Sequence, residues 1–303
     1  MKKENTFAGL PGCADLSHLD ADIALLGIPY ATPYTPDEPI HSENAPSAIR
    51  FESNRYQDDP FAWDFDIDST LLGYSNKSIA DCGDLTGNSS DLAGNRWQIQ
   101  DAIASILAVN AIPVVLGGDD SIPIPVMRAY TGGEPFHVLQ LDAHIDWRDD
   151  VRGVREGYSS TMRRASELEC VAGIVQAGMR GVGSARTQEI QAALAYGASI
   201  IPARNIMRTG IDPVLQQIPS GSRCFLTIDF DVLDPSIMPA VGAPTPGGLD
   251  YQTTIDLIHA LARRNSIVGV CLVEFVPEAD LRNLGAITAM RIVWNVLAAL
   301  TRN

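Results

Sequence analysis

Short apolar runs alternate along the chain with longer segments in which apolar residues recur at helical spacing. The first run, 22–29, is almost continuously apolar, which is typical of a parallel strand buried on both faces of a sheet. The segment 91–110 instead carries Ile99, Ile103 and Ile106 on one approximate stripe, which predicts an amphipathic helix. The hydrophobic pattern thus distinguishes predicted strands from predicted helices.

This alternation continues to the end of the chain, apart from a predicted proline-containing loop at 30–43 and an aperiodic stretch at 55–70. It predicts an α/β fold with a mostly parallel sheet and helices on both faces. The predicted strands are 22–29, 78–83, 112–116, 136–143, 173–179, 198–201, 223–230 and 267–273. The predicted helices are 46–54, 91–110, 122–130, 160–168, 184–196, 210–217, 251–263 and 284–301.

No Pro/Gly/Ser-rich linker divides the 303 residues, of which 46% are apolar. A chain of this size can bury one large core, so the sequence predicts a single domain over 1–303, with 1–20 as a polar N-terminal arm. No signal-peptide h-region is apparent, and no run approaches about 18 apolar residues, so secretion and membrane insertion are not expected.

Charge and cysteine usage narrow the function classes. The chain has 22 Lys and Arg against 37 Asp and Glu, a formal net charge of −15, which argues against nucleic acid or an anionic membrane as partner. A negatively charged protein would attract a cationic substrate, although a role of the charge in solubility alone would also explain its sign. The five cysteines are odd in number and widely spaced, which predicts reduced thiols in a cytoplasmic protein.

Acidic residues collect where predicted strands end, which is where ligands bind in parallel sheets. Asp119 and Asp120 follow the strand at 112–116, and Glu274 follows the strand at 267–273. So many carboxylates at one rim would repel one another unless cations neutralised them, which predicts a site for two metal ions. The other candidates at strand ends are Asp142, His144, Asp146, Asp229 and Asp231.

The spacing of Asp142, His144 and Asp146 strengthens this prediction. Residues at i, i+2 and i+4 of a strand point to the same face, so an extended backbone would direct all three side chains together. Taken singly, an Asp at a strand end is usually a cap or turn residue. The combination with Asp229 and Asp231 favours metal binding over those separate structural roles.

Five motifs, in this order, resemble the signatures of the ureohydrolases, the arginase/agmatinase family. They are Gly-Gly-Asp-Asp-Ser at 117–121, Asp-Ala-His-Ile-Asp at 142–146, Thr-Ile-Asp-Phe-Asp-Val-Leu-Asp-Pro at 227–235, Thr-Pro-Gly-Gly-Leu at 245–249 and Val-Glu-Phe-Val-Pro at 273–277. The resemblance runs from about Ile23 to the C-terminus. It implies a three-layer α/β/α sandwich that hydrolyses a guanidino compound to urea and an amine.

The resemblance also implies the cofactors and the residues that bind them. Two divalent ions, usually Mn²⁺ and in some members Ni²⁺, would activate a hydroxide that attacks the guanidinium carbon. Asp146 could accept a hydrogen bond from that hydroxide, and Glu274 would pair with the small cationic guanidino substrate. One ion would be held by Asp120, Asp142, Asp146 and Asp229, and the other by Asp142, His144, Asp229 and Asp231.

The chain departs from the family pattern at two positions. Most members have a histidine ligand where this chain has Asp120; aspartate also binds divalent ions but makes the site more anionic. Many members also have a histidine in the loop where Tyr158 falls. Tyr158 could contact the substrate or the leaving amine, but its ordinary pKa near 10 makes it a weaker proton shuttle, and neither His41 nor His259 is predicted to replace the missing histidine.

The loop after the metal motif begins with Trp147 and is predicted to contact the substrate; it is called the substrate loop below. Its arginines, such as Arg148, could recognise a carboxylate tail, whereas Asp149 and Asp150 could recognise a second cation. Agmatine, a guanidino acid, guanidine and a biguanide all stay open. Arginase activity itself is disfavoured because the amino-acid-binding loop pattern is absent.

The resemblance implies a homo-oligomer, either a trimer or a hexamer. The two departures also motivate an alternative function, a catalytically weakened paralogue that supports a related active subunit in a hetero-oligomer, as in metformin-hydrolase-like complexes. A third hypothesis, another metal-dependent C–N hydrolase on the same scaffold, predicts release of ammonia instead of urea.

Overall fold

The computed structural model describes residues 6–35, 41–57, 62–71, 73, 75–88, 90–183 and 185–302. The strands are β1 (Ile23–Ile28), β2 (Ile79–Asp84), β3 (Ile112–Gly117), β4 (Phe136–Leu141), β5 (Val171–Met179), β6 (Ser199–Pro202), β7 (Arg223–Asp229) and β8 (Ser266–Val273). The helices are α1 (Ala45–Ser53), α2 (Leu92–Ala108), α3 (Pro123–Arg128), α4 (Thr161–Ala165), α5 (Thr187–Tyr196), α6 (Ala203–Thr209), α7 (Asp212–Leu215), α8 (Tyr251–Arg264) and α9 (Leu284–Thr301).

All eight strands form one parallel sheet in the order β2-β1-β3-β8-β7-β4-β5-β6. The central four strands, β3, β8, β7 and β4, are the ones whose carboxyl ends carry the acidic motifs. Parallel strands end at the same edge, so this order brings those motifs together. The predicted α/β fold is confirmed, while the order of the strands was not contained in the sequence pattern.

Buried residues lie on both faces of the sheet, which makes the architecture a three-layer sandwich. In β1, Ile23 and Leu25 belong to a core shared with α1, α8 and α9, whereas Ala24 and Leu26 belong to a second core shared with α2 and α3. Side chains alternate between the faces of a strand, so a continuously apolar strand supplies both cores. The predicted layers are confirmed.

Helix α9 is long and apolar enough to cross a membrane by length and composition, contrary to the expectation that no segment reaches this limit. Seventy-eight per cent of it is buried inside the structure, and its apolar side chains pack against α1 and α8 in the first core. Burial within the protein accounts for its composition, because a helix covered on most sides is apolar on most sides.

The described part of the N-terminal arm is not a free polar extension. Phe7 is fully buried, and its backbone N–H donates to Asp81 Oδ2 over 2.7 Å. The same Asp81 carboxylate accepts hydrogen bonds from the guanidinium of Arg50, at 2.8 and 2.9 Å. A paired, buried carboxylate therefore anchors the arm to α1 and β2, which corrects the prediction for residues 6–20.

Two local predictions were wrong. Helix α6 was not predicted, because the segment between β6 and the predicted helix at 210–217 is short and has no apolar period. Strand β4 ends at Leu141, so residues 142–146 form a turn instead of continuing the strand. The Asp142 carboxylate accepts a hydrogen bond from the backbone N–H of His144 over 2.5 Å, and this local pairing competes with strand geometry.

Candidate metal centre

A cavity of about 440 Å³ opens at the carboxyl ends of the central strands. The chain can turn sharply there because Gly118 has no side chain: a Cβ at this position would lie 1.7 Å from the backbone oxygen of Tyr30. The cavity lining comprises His41, Asp120, His144, Asp146, Trp147, Arg148, Tyr158, Ser159, Gly183, Glu189, Asp229, Asp231, Gly242, Ala243 and Glu274.

Two groups of side chains in this region could each hold a metal ion, with ligand atoms within 4.8 Å of one another. Asp142 is a member of both groups. The first group is Asp142, His144 and Asp231, and the second is Asp120, Asp142 and Asp146. The structure thus brings together five of the six predicted ligands in two sets that share one carboxylate.

The sixth predicted ligand, Asp229, lies beside these groups and lines the same cavity. Its Oδ1 accepts a hydrogen bond from the backbone N–H of Asp231 over 2.7 Å, and this contact begins the short 3₁₀ helix at Phe230–Val232. The Asp-x-Asp spacing therefore has a structural consequence: one carboxylate caps the turn that positions the next.

His144 faces the acidic residues of its group. Its Nδ1 lies 2.8 Å from Asp231 Oδ2 and 3.4 Å from Asp142 Oδ1. Burial disfavours the protonated imidazole, but the hydrogen bond and negative charge of Asp231 outweigh it and raise the pKa of His144 to about 9. The carboxylate of Asp231 therefore favours a positive charge at this position.

Asp120 is the strongest indication of a cation in this region. Its side chain is 2% exposed, and neither carboxylate oxygen has a hydrogen-bond partner among the described residues. Burial, together with the negative charges of Asp146 and Glu274, raises the pKa of Asp120 well above its ordinary value. A buried carboxylate without partners is costly unless a cation binds it, so this residue fits the ligand role that the sequence predicts.

Two glutamines in the sheet hold the acidic residues in place. Gln140 Nε2 donates to Asp142 Oδ2 and to Asp146 Oδ2, both over 2.7 Å. Gln176 Nε2 in turn donates to Gln140 Oε1 over 2.5 Å, and its Oε1 accepts from Trp147 Nε1 over 2.8 Å. Partners of this kind orient metal ligands, and sequence analysis missed both glutamines because they lie within otherwise apolar strands.

Trp147 lines the cavity, as its predicted substrate contact requires, but only 2% of it is exposed. Its only polar side-chain atom, Nε1, donates to Gln176 and is thus occupied within the protein. Any contact of Trp147 with a ligand is therefore limited to the edge or face of the ring. The position of Trp147 also couples the substrate loop to the two glutamines.

Glu274 lies immediately after β8 and is only 8% exposed. Its Oε1 accepts a hydrogen bond from the backbone N–H of Asp120 over 2.8 Å, and its Oε2 lies 2.8 Å from His41 Nε2. Sequence analysis placed Glu274 at the site but missed His41, which precedes α1. The available signal was topological, because the loop after β1 reaches the same rim as the loops after β3 and β8.

Three residues at this rim have a strained backbone. Asp146 and Glu274 have positive φ angles of 47° and 68°, in the left-handed region that non-glycine residues rarely adopt. Ser42, next to His41, has a φ of 66°. Strained residues persist where surrounding contacts hold them, and here they direct side chains into the cavity.

Tyr158 also lines the cavity, with its ring centroid 4.5 Å from that of Tyr34 and 5.7 Å from that of His41. The hydroxyl of Tyr34 accepts a hydrogen bond from the backbone N–H of Ser159 over 2.8 Å. Tyr34 therefore holds the loop on which Tyr158 is presented. The predicted location of Tyr158 at the site agrees with this geometry.

The charged residues of the substrate loop separate into two sets. Arg148 lines the cavity, where its Nε lies 3.7 Å from Glu189 Oε1. Asp149 instead pairs with Arg155 over 3.0 Å and with Arg164 over 2.6 Å. Of the arginines and acids weighed from this loop, Arg148 is thus the one that the structure places in the cavity lining.

Arg180, which directly follows β5, is hydrogen-bonded to the backbone of residues 231–233. Its guanidinium donates to the backbone oxygens of Asp231, Val232 and Leu233 at 2.6 to 3.2 Å, and to that of Thr245 at 2.7 and 3.0 Å. These bonds tie the backbone of 231–233 to that of Thr245, so Arg180 holds two motif-bearing loops together.

Known proteins of similar sequence include hydrolases of guanidino compounds. N(1)-aminopropylagmatine ureohydrolase of Thermus thermophilus is 34% identical over 188 residues, so the aligned region spans 61% of this chain and 61% of that relative. Agmatinase of Pyrococcus horikoshii is 28% identical over 287 residues, which cover 93% of each chain.

The solved structures agree with the sequence relatives. Proclavaminate amidino hydrolase from Streptomyces clavuligerus superposes with a TM-score of 0.85 at 25% identity, covering 98% of this chain and 97% of that one. The sequence profile of the arginase family matches residues 21–299. Because this match covers nearly the whole chain and agrees with the fold and the order of the motifs, the chain belongs to the arginase family.

Proposed function

We propose that the protein is a hydrolase of linear amidines, which cleaves a guanidino compound to urea and an amine with two divalent metal ions. The observation that carries this proposal is the pair of ligand groups that share buried Asp142, one of which contains Asp120, whose buried carboxylate oxygens have no hydrogen-bond partner among the described residues. Relatives named as ureohydrolase, agmatinase and guanidino acid hydrolase support the reaction class.

The chain's own residues suit two ions of the oxygen-preferring kind. Aspartate oxygens with one imidazole form a ligand set typical of Mn²⁺, with Ni²⁺ as the alternative. Once bound, such ions neutralise the acidic cluster and make water a nucleophile near neutral pH. The first ion would be held by Asp120, Asp142, Asp146 and Asp229, and the second by Asp142, His144, Asp229 and Asp231.

Three further side chains are assigned roles on the substrate. Glu274 would accept hydrogen bonds from the guanidinium group, because a buried carboxylate forms a strong charge-assisted pair with a planar cation. Asp146 would accept a hydrogen bond from the attacking oxygen and pass its proton to the leaving nitrogen. Tyr158, which lines the same cavity as Glu274, would donate its hydroxyl proton in a hydrogen bond to the substrate.

The cavity lining carries one charge of each sign in Arg148 and Glu189, whose Nε and Oε1 atoms lie 3.7 Å apart. Arg148 could pair with a carboxylate tail, and Glu189 with an ammonium tail. A substrate panel should therefore include agmatine, a guanidino acid, unsubstituted guanidine and a biguanide, and the preferred tail then reports which of the two residues is used.

The direct test is elemental analysis of the purified chain after growth with manganese and then with nickel, combined with a urea assay on that panel. We expect about two ions per chain, as in two-metal sites, and urea from at least one compound. One ion or none with no urea would refute the proposal and favour the supporting-subunit alternative. Ammonia without urea, from a compound whose leaving group is not ammonia, would indicate a different C–N hydrolase.

Metal binding should also reverse the pH dependence of stability. Burial and the charge of Glu274 raise the pKa of Asp119 to about 6 from an ordinary 3.8, and burial and neighbouring charges raise those of Asp142 and Asp229 well above that value. A folded state that binds more protons than the unfolded chain loses stability as pH rises, here from about pH 4 to 6 for Asp119 and beyond for the others.

Divalent ions bind the ionised carboxylates, so their stabilisation grows with pH. We therefore expect the Tm of the metal-free chain to fall between pH 5 and pH 7.5, and the increase in Tm caused by manganese to be larger at the higher pH. Thermal scans with a chelator and with excess manganese measure both quantities. An equal increase at the two pH values would contradict the assignment of Asp142 and Asp229 as ligands.

The family resemblance and the composition of the chain support further proposals. We place the protein in the cytoplasm as a homo-oligomer, a trimer or a hexamer, in which each chain acts as a single domain. The five cysteines are free thiols, and three of them, Cys82, Cys224 and Cys271, are buried, which suits a reducing compartment.

A further inference from the structure

His41 reaches the cavity from a segment that carries no family motif. It lies just before α1, and the strained turn at Ser42 is closed by a hydrogen bond from the backbone N–H of Ala45 to the backbone oxygen of Ser42, over 3.1 Å. The His41 side chain is 25% exposed, so it is half-buried at the cavity wall. Its direction is therefore set by the start of α1.

The imidazole of His41 contacts the carboxylate assigned to the guanidinium group. The distance from His41 Nε2 to Glu274 Oε2 is 2.8 Å, while Glu274 Oε1 accepts from the backbone N–H of Asp120 over the same distance. Each oxygen thus has a different partner, and the two contacts together prevent rotation of the carboxylate. A carboxylate has about four lone-pair sites, so it can still accept hydrogen bonds from a ligand.

The lack of a side chain at Gly242 leaves room beside this pair. A Cβ at Gly242 would lie 3.5 Å from Glu274 Oε2 and 4.0 Å from the ring of His41. Titratable groups that face His41 are Glu274 after β8, Asp119 after β3 and Tyr158 in the substrate loop. Among the described residues that line the cavity, the histidines are His41 and His144, and only His144 belongs to a candidate ligand group.

We propose that His41 is a positioning residue: its Nε2–H donates to Glu274 Oε2 and holds the carboxylate in the plane that receives the guanidinium group. This inference rests on the proposed function, in which Glu274 binds that group. Holding the acceptor in its bound orientation removes a rotational entropy cost from substrate binding. Strain at Glu274, with its positive φ, increases the need for such a second anchor.

Two substitutions separate positioning from proton transfer. His41→Leu removes the donor, and we expect KM for the best substrate to rise about tenfold with a smaller change in kcat, as loss of a hydrogen bond to a charged group would cause. His41→Gln offers an amide Nε2 at a similar reach, and should recover most of the loss although glutamine does not titrate. His18→Gln is the matched control, because His18 is exposed on the surface, where its Nδ1 lies 3.1 Å from Asp15 Oδ2.

A double variant tests whether His41 acts through Glu274. In the Glu274→Gln background, adding His41→Leu should cost much less than it costs in the wild-type chain, since the two residues form one unit. Equal losses in both backgrounds would overturn the proposal. A second result would also overturn the proposal: a His41→Gln variant that is as impaired as His41→Leu and has lost one limb of the pH profile of kcat. That result would indicate that His41 transfers a proton.

Binding of guanidinium chloride to the manganese-loaded chain, followed by calorimetry, provides a readout that does not need turnover. We expect weaker binding by His41→Leu than by the wild type, with His41→Gln in between or close to the wild type. Absence of urea with this ranking intact would refute the proposed function alone. Urea release by the wild type, with equal guanidinium affinity and KM in all three chains, would refute the role of His41 alone.

Discussion

Replacing Asp142 with asparagine should reduce urea release by at least about 10³-fold, because the stabilisation by metal ions amounts to several kcal/mol of transition-state energy. Asp142 is the one residue found in both candidate ligand groups. It is fully buried, and its Oδ2 accepts a hydrogen bond from Gln140. An amide in its place keeps the volume but removes the charge that attracts both ions.

The measurement is metal content and steady-state turnover on the same preparation. Asp142→Asn should retain fewer than two ions, and its melting temperature without metal should not be lower than that of the wild type, because a neutral amide reduces the repulsion within the acidic cluster. Asp101→Asn is the matched control, since Asp101 is exposed on α2 and the charge change is identical. Two ions and unimpaired turnover in Asp142→Asn would refute its shared role.

Asp120→Ala should lose the metal ion that is assigned to Asp120, Asp142 and Asp146. We expect its affinity for that ion to fall by more than about 100-fold, which is the largest loss that removal of a residue supporting a ligand usually causes. The reason is that both oxygens of Asp120 are buried without a partner among the described residues, so a bound ion is their only evident source of compensation. Activity should fall in parallel, because the remaining ion leaves the cluster only partly neutralised.

Asp120→His is the informative companion, since it introduces the residue that most of the family carries at this position. It should retain two ions. Five aspartates against two divalent ions leave one negative charge, whereas the variant leaves none, so the pH dependence of turnover should shift to lower pH as water ionises more readily. Full metal content in Asp120→Ala would show that Asp120 is not a ligand, and an inactive wild type with an active Asp120→His would favour the supporting-subunit alternative.

Much of the fold could be predicted because local patterns carry it. The apolar run of β1 indicated a strand buried on both faces, and the alternation of strands and helices indicated the layers. Helix α6 and the end of β4 could not be predicted in this way. A turn that depends on one side-chain contact, such as that from His144 N–H to the Asp142 carboxylate, leaves no period in the sequence.

The candidate metal centre, like the fold, could be predicted from the sequence only in part. Asp142, His144 and Asp146 were predicted to meet because strand residues two apart share a face, yet they meet in a turn, with Asp146 at a positive φ. Their spacing was informative for a reason other than the one first assigned to it. His41, Gln140 and Arg180 were missed because each acts on a residue far away in the chain or hidden within an apolar strand, and a single sequence contains no sign of such pairs.

From the sequence alone one could predict which residues carry charge and can bind metal, and that the carboxyl ends of the predicted strands share one edge of a parallel sheet. These follow from local chemistry and from the geometry that all parallel sheets have in common. The tertiary structure was needed to show three things. The strands β3, β8, β7 and β4 lie side by side, the carboxylate of Asp120 is buried without a hydrogen-bond partner among the described residues, and the His41 side chain contacts Glu274. Those facts depend on the strand order and on long-range packing, which the free energy of the whole folded chain selects.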